Sequence, residues 1–155
     1  WSFAEQKVRG RDDFSKIPNG GPGIEERVMM VFQGVNEGRL SLNRFVDLVA
    51  TSPARMFGLY PQKGTIAIGS DADLLVWDPN AEMTVTQSTL HHAVDYTLYE
   101  GRAIRGLPRT VTLRGQVIVE NREFVAEPGK GQFLHRGRSG RQTHETPPVA
   151  AMAAD

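Results

Sequence analysis

The sequence predicts a helical block followed by a strand block, an arrangement that argues for two architectural units. Three observations carry this. Apolar residues recur at helical spacing from Ile24 to about Phe57, and the period turns extended after Tyr60-Pro61 and stays so as far as Glu120. Ahead of the first helix, Pro18-Asn19-Gly20-Gly21-Pro22-Gly23 combines prolines that fix φ with glycines that permit left-handed φ, so it is a shaped loop rather than regular structure.

The chain has 155 residues, enough for an ordinary domain with a core. Its hydrophobic content is 39% and its mean hydropathy is -0.36, values of a soluble globular protein. Eighteen basic residues balance eighteen acidic ones, so no global field draws in nucleic acid or a membrane surface. No apolar run approaches the ~20 residues that span a bilayer, and Trp1-Ser2-Phe3-Ala4-Glu5 lacks a charged-then-apolar leader. The absence of cysteine removes disulfides, thiol nucleophiles and thiolate metal sites, and suits a reducing, cytoplasmic setting. The opening without methionine suggests a fragment or a clipped chain.

Residues 1–15 are polar and mixed, with Gly10, Arg11, Asp12 and Asp13 reading as exposed loop. A helix then starts near Pro22, with Glu25 and Glu26 facing the positive end of its dipole. Ile24, Val28, Val31, Phe32 and Val35 form its inner face, and Asn36 to Gly38 end it. Ser41 is placed to cap a second helix with inner face Leu42, Phe45, Val46 and Val49. Ser52-Pro53 reads as cap and first residue of a third helix, Ala54 to Phe57, which Gly58 stops. Strand-like stretches follow at 65–68, 73–77, 83–85, 93–99, 109–113 and 116–120. Leu113-Arg114-Gly115-Gln116 is a hairpin turn, and the unalternated Leu74-Leu75-Val76-Trp77 predicts a strand buried on both faces. Beyond Gly129 the apolar rhythm is lost. Lys130, Arg136, Arg138 and Arg141 have no acidic residue between them, and 143–155 is rich in Pro, Ala and Thr, a solvated and disordered tail rather than a nucleic-acid contact.

No complete catalytic constellation exists in these residues. His91-His92 invites a metal, but neighbours on a strand point to opposite faces and on a helix lie about 100° apart, so the pair is poorly arranged to share one ion. Asp71 and Asp73 are better explained by a tight turn than as paired acid and base. Ser70 lacks a nucleophile elbow, and Gly101 to Gly106 lacks phosphate-loop spacing. The loop at Asn19 remains: its peptide groups are not consumed by ladder bonds and suit a planar amide or imide ligand. The same residues also suit a plain connector that binds nothing, and the local pattern leaves both open.

Gly69-Ser70-Asp71-Ala72-Asp73-Leu74-Leu75-Val76-Trp77-Asp78 resembles a strand motif of the amidohydrolase superfamily. A narrower set comprises Asp13 to Gly23, His91-His92, Val94-Asp95-Tyr96, Tyr99-Glu100-Gly101 and Gly129-Lys130-Gly131-Gln132-Phe133-Leu134. It resembles the C-terminal third of the dihydropyrimidinase and D-hydantoinase family, from about residue 1 to residue 136. The resemblance implies a fold class of α/β plus β: the C-terminal end of a metal-dependent (α/β)8 barrel, then strands of a small β-sandwich. Residues 1–60 would be the last barrel loop and helices, 61–128 the sandwich strands, and 129–155 a tail, partly disordered or in subunit contacts around Gln132-Phe133-Leu134. It further implies a cyclic-amide hydrolase that opens dihydropyrimidine or 5-substituted hydantoin rings to N-carbamoyl amino acids. A dinuclear zinc centre would activate hydroxide, with four histidines, a carboxylated lysine and an aspartate as ligands, all ahead of residue 1.

On this resemblance the chain carries no catalytic residue and no metal ligand, and Asn19 is the substrate-binding residue, holding the cyclic ureide through main-chain groups. The whole protein would be a homotetramer without nucleic-acid or membrane partners. Two alternatives stand beside this: a non-catalytic scaffold of the same fold, which typically replaces the Asn-Gly-Gly-Pro-Gly pattern retained here, or a short chain acting only as an interaction module. In isolation the chain is expected to be inactive and marginally stable, because barrel helices without their strands would leave Val28, Phe32 and Phe45 facing water.

Overall fold

The computed structural model describes residues 2–138. The expectations placed on Trp1, Arg141 and 143–155 therefore lie outside the described residues. Helix α1, Ala4–Val8, stands in the stretch that the sequence marked only as polar and mixed. Ala-Glu-Gln-Lys are good helix formers, and the side-chain oxygen of Gln6 accepts from the amide of Phe3 at 2.8 Å, satisfying one donor at the start of the turn. Gly10 is buried rather than exposed, because Ile17 packs directly against it.

Helix α2 runs over Glu26–Asn36 and buries Glu26, Met29, Phe32, Gln33 and Gly34. Its inner face is thus rotated from the one expected. Ile24 lies ahead of the helix and is 89% exposed, whereas Glu26 is fully buried because its carboxylate has polar partners. Ser41 caps α3, Leu42–Val46, its hydroxyl accepting from the amide of Arg44 at 3.1 Å. Only Phe45 of the expected inner face is buried; Leu42 and Val46 are exposed. Ser52 does not cap a separate helix. A π-helical turn, Asp47–Thr51, carries α3 into α4, Ser52–Met56, with Ser52 itself helical and its hydroxyl donating to Asp47 at 2.8 Å. Gly58, at φ +69°, does end that helix.

The strands form one antiparallel sheet in the order β1-β2-β3-β4, namely Leu75–Thr84, Ala103–Leu113, Gln116–Glu120 and Glu123–Phe124. The β2–β3 hairpin turns at Arg114 and Gly115, with φ +47° and +81°, as a two-residue turn of that sequence requires. In β1 the register slips between Asp78 and Glu82. There Pro79 cannot donate to the ladder, and Asp78 instead accepts the amides of Asn80 and Ala81 at 2.9 and 3.1 Å. Residues 65–68 and 93–99, expected as strands, have no ladder partners among the described residues and are turns and irregular chain. The expectation that 74–77 is buried on both faces also fails: Leu74, Leu75 and Val76 are 37%, 42% and 52% exposed. Among the described residues β1 is an outer strand with β2 as its single neighbour, and it is β2 that α2 packs against.

Met29 of α2 joins Val85, Leu90, Ile104 and Leu107 in the core. Beside it Phe32, Phe45 and Trp77 form an aromatic cluster, with ring centroids 4.9 to 5.9 Å apart and inclined to one another. Phe32 and Phe45 are 3% and 5% exposed, so they do not face water as expected of helices without barrel strands; the indole of β1 covers them. Gln33 completes the docking, its amide nitrogen donating to the Arg105 carbonyl at 3.1 Å and its oxygen accepting the Arg105 amide at 3.2 Å.

Candidate functional site

The loop that holds Asn19 is fastened on both sides. On its approach, Asp13 caps a short 3-10 helix, Phe14–Lys16. Hydrogen bonds from the Ser15 hydroxyl and amide, then Lys16, hold the Asp13 carboxyl below the usual carboxylate range. Across the loop, the ammonium of Lys7 on α1 donates to the carbonyls of Pro18 and Gly20, the two residues that flank Asn19. Helix α1 is tied in turn to Asp95, whose Oδ1 accepts the amide of Ala4 at 2.9 Å.

On the exit side, the first turn of α2 is clamped to the same segment of chain. Glu25 accepts the His91 amide at 2.7 Å and lies 2.9 Å from His91 Nδ1. Glu26, fully buried, accepts the Thr97 hydroxyl at 2.7 Å and lies 3.7 Å from His92 Nε2. Residues 91–97 are therefore a hub. The segment was expected to be partly strand, but its polar side chains are spent on α1 and α2 instead of a ladder.

Asn19 itself is exposed, and among the described residues none hydrogen-bonds to its amide, carbonyl or side chain. Gly20 and Gly23 take φ of +86° and +141°, a region that L side chains avoid, so the loop's path depends on them. The loop also walls an open cleft of about 450 Å³, lined by Gly20 to Glu25, Ser2 and His92 among others; Asn19 is not part of that lining. The Ser2 hydroxyl, Glu26 Oε2 and both ring nitrogens of His92 are buried without a hydrogen-bond partner. Among the described residues the site thus offers fixed peptide groups and no assembled nucleophile and base.

The structure sends His91 and His92 to two different glutamates. Among the described residues no group of three or more His, Cys, Asp or Glu side chains could hold a metal ion. Asp71 and Asp73 both reach Lys63, and Asp73 also accepts the Arg114 amide at 2.7 Å, so they pin the β2–β3 turn to the chain before β1. Sequence reasoning missed Lys7, Glu26 and Thr97. Lys7 reads locally as a surface residue and Glu26 as a dipole-facing charge; their partners lie in other segments. Only the resemblance at His91-His92 and Val94-Asp95-Tyr96 pointed toward the hub.

The amidohydrolase family profile matches residues 12–105, more than half of the chain. The chain is 60% identical to a D-hydantoinase of Ralstonia pickettii over 136 residues, 88% of this chain and 30% of that protein. A solved structure of D-hydantoinase superposes with a TM-score of 0.84 at 60% identity, over 88% of this chain and 30% of that one. The dihydropyrimidinase from Brevibacillus agri NCHU1002 superposes with a TM-score of 0.86 at 46% identity, over 91% of this chain and 31% of that one. The chain thus spans about 30% of the length of the relatives it matches.

Proposed function

This chain belongs to the amidohydrolase family, and we propose that the protein it comes from opens dihydropyrimidine or 5-substituted hydantoin rings to N-carbamoyl amino acids. Asn19 is the substrate-binding residue in this reading, with its backbone amide and carbonyl pairing to the cyclic ureide. The observation that carries it is the loop itself: a fastened turn whose flanking carbonyls go to Lys7 while Asn19 has no partner among the described residues. High identity to D-hydantoinases supports the reaction class.

Residues 1–60 are read as the last loop and helices of the (α/β)8 barrel, 61–128 as sandwich strands, and 129–155 as a tail that reaches subunit contacts in a homotetramer. Phe133, 84% exposed, suits such a contact. A cytoplasmic setting belongs to the same proposal. Among the described residues no helix is long and apolar enough to cross a membrane.

A dinuclear zinc centre would supply activated hydroxide for attack on the ring amide carbon. The donors present here do not fit such a centre: among the described residues no three His, Cys, Asp or Glu side chains come together, and His91 and His92 face separate glutamates. Its ligands are proposed to lie ahead of residue 1 in the whole protein, and this chain alone is inactive. What its own residues do is hold the ring, a contribution to substrate binding made by fixed peptide groups. The test is ring opening by the whole protein loaded with divalent metal. Accumulation of an N-carbamoyl amino acid from a dihydropyrimidine or a hydantoin is expected; a metal-loaded protein that opens neither ring overturns the reading.

A further inference from the structure

We propose that Lys7 is a positioning residue for substrate binding, one that fixes the peptide groups on either side of Asn19 so that those of Asn19 itself remain available to the ring. The proposal rests on the reading of Asn19 given above. Its starting point is an unusual commitment of charge. Lys7 is half-buried, forms no ion pair among the described residues, and spends its ammonium on two backbone carbonyls. Those carbonyls belong to Pro18 and Gly20, and the residue skipped between them is Asn19.

A glycine-rich loop left to itself samples many paths. Two charge-assisted bonds from one ammonium remove much of that freedom at the positions next to the ligand-facing residue, since hydrogen bonds from a charged donor are stronger than neutral ones. Lys7 is itself held, because α1 begins at Ala4, whose amide is bound by Asp95 at 2.9 Å. A short relay therefore runs from Asp95 through α1 to the carbonyls at 18 and 20. Tyr96, next along, brings its hydroxyl to the loop as well: a Cβ on Gly21 would lie 3.9 Å from it. Lys7 touches no reacting atom in this scheme and acts through the backbone.

The experiment uses the whole, metal-loaded protein in three forms: unaltered, Lys7→Met and Lys7→Arg. A pre-organised contact made equally in the ground and transition states shows in KM rather than kcat. The expected result is a KM for the cyclic ureide raised about tenfold or more in K7M, with kcat changed much less, metal content unchanged, and KM substantially restored in K7R. An unchanged KM in folded K7M, or a loss confined to kcat, overturns the proposal. If K7M does not accumulate as folded protein, Lys7→Gln is judged by the same criteria, its uncharged and therefore weaker amide donor predicting an intermediate KM. Failure of the unaltered protein to open any ring strikes the functional reading first and takes this proposal with it; normal turnover with an insensitive Lys7 strikes only the proposal.

Discussion

Lys63 donates to two carboxylates at once, Asp71 at 2.9 Å and Asp73 more closely still, and Asp73 in turn accepts the Arg114 amide, which ties the segment before β1 to the β2–β3 turn. The hydrogen bond from Lys63 is the main cause that lowers the Asp71 carboxyl below the usual range. Burial opposes the charge on Lys63, but the bonds and charges of Asp73 and Asp71 together raise its ammonium above the usual lysine range. The signs follow from linkage. Asp71 contributes stability that is complete above its unfolded value and lost as pH falls through the depressed folded value. Lys63 contributes stability that is complete below its unfolded value and lost as pH rises through the raised folded one. Urea unfolding of the chain across pH should therefore show Lys63→Met losing less stability than the unaltered chain on acidification below the ordinary aspartate value. Equal acid losses in both would show that Lys63 does not set the shift. Glu26 illustrates what remains hidden at this scale. At the start of a helix a glutamate reads as a surface charge facing the dipole, and its burial depends on Thr97 and His92, which local spacing does not bring near.

Helix α2 lies on β2 at a point where only a glycine fits. A Cβ on Gly106 would come within 2.3 Å of the Phe32 ring and 3.0 Å of Trp77 Nε1, and φ there is +96°. Gly106→Ala should destabilise the chain by about 3 kcal/mol, combining overpacking with backbone strain. Gly101→Ala, at φ +77° with nothing within 4 Å, should cost about 1 kcal/mol from the backbone alone. Equilibrium unfolding of the two variants checks this; equal losses would mean that the aromatic cluster does not depend on close approach of α2. Elements whose signals are local were legible in the sequence: the Ser41 cap, the Gly58 stop and the Arg114-Gly115 hairpin each depend on residues within one turn. Elements that depend on a distant partner were not. Residues 93–99 have strand-like composition, yet Asp95 and Thr97 bond to α1 and α2, and among the described residues no strand lies alongside to complete a ladder. The π-helical turn at Asp47–Thr51 likewise carries no sequence mark and lets Ser52 continue a helix it was expected to start.

At the scale of the whole molecule, the chain spans about 30% of the length of the relatives it matches, and it presents open apolar surface that includes Leu75 and Val76 on β1. The candidate site was legible as a loop, because glycine and proline chemistry is local, whereas its supports, Lys7 and the hub at 91–97, required the fold. The central claim is that Asn19 meets the ring through its main chain. The most direct measurement is a crystal structure of the whole protein bound to an unreactive cyclic ureide. The expected density places the ring amide within hydrogen-bond distance of the Asn19 amide and carbonyl, with Lys7 still on the carbonyls of Pro18 and Gly20. A ring bound elsewhere, with the peptide groups of Asn19 turned to protein partners, would contradict the account.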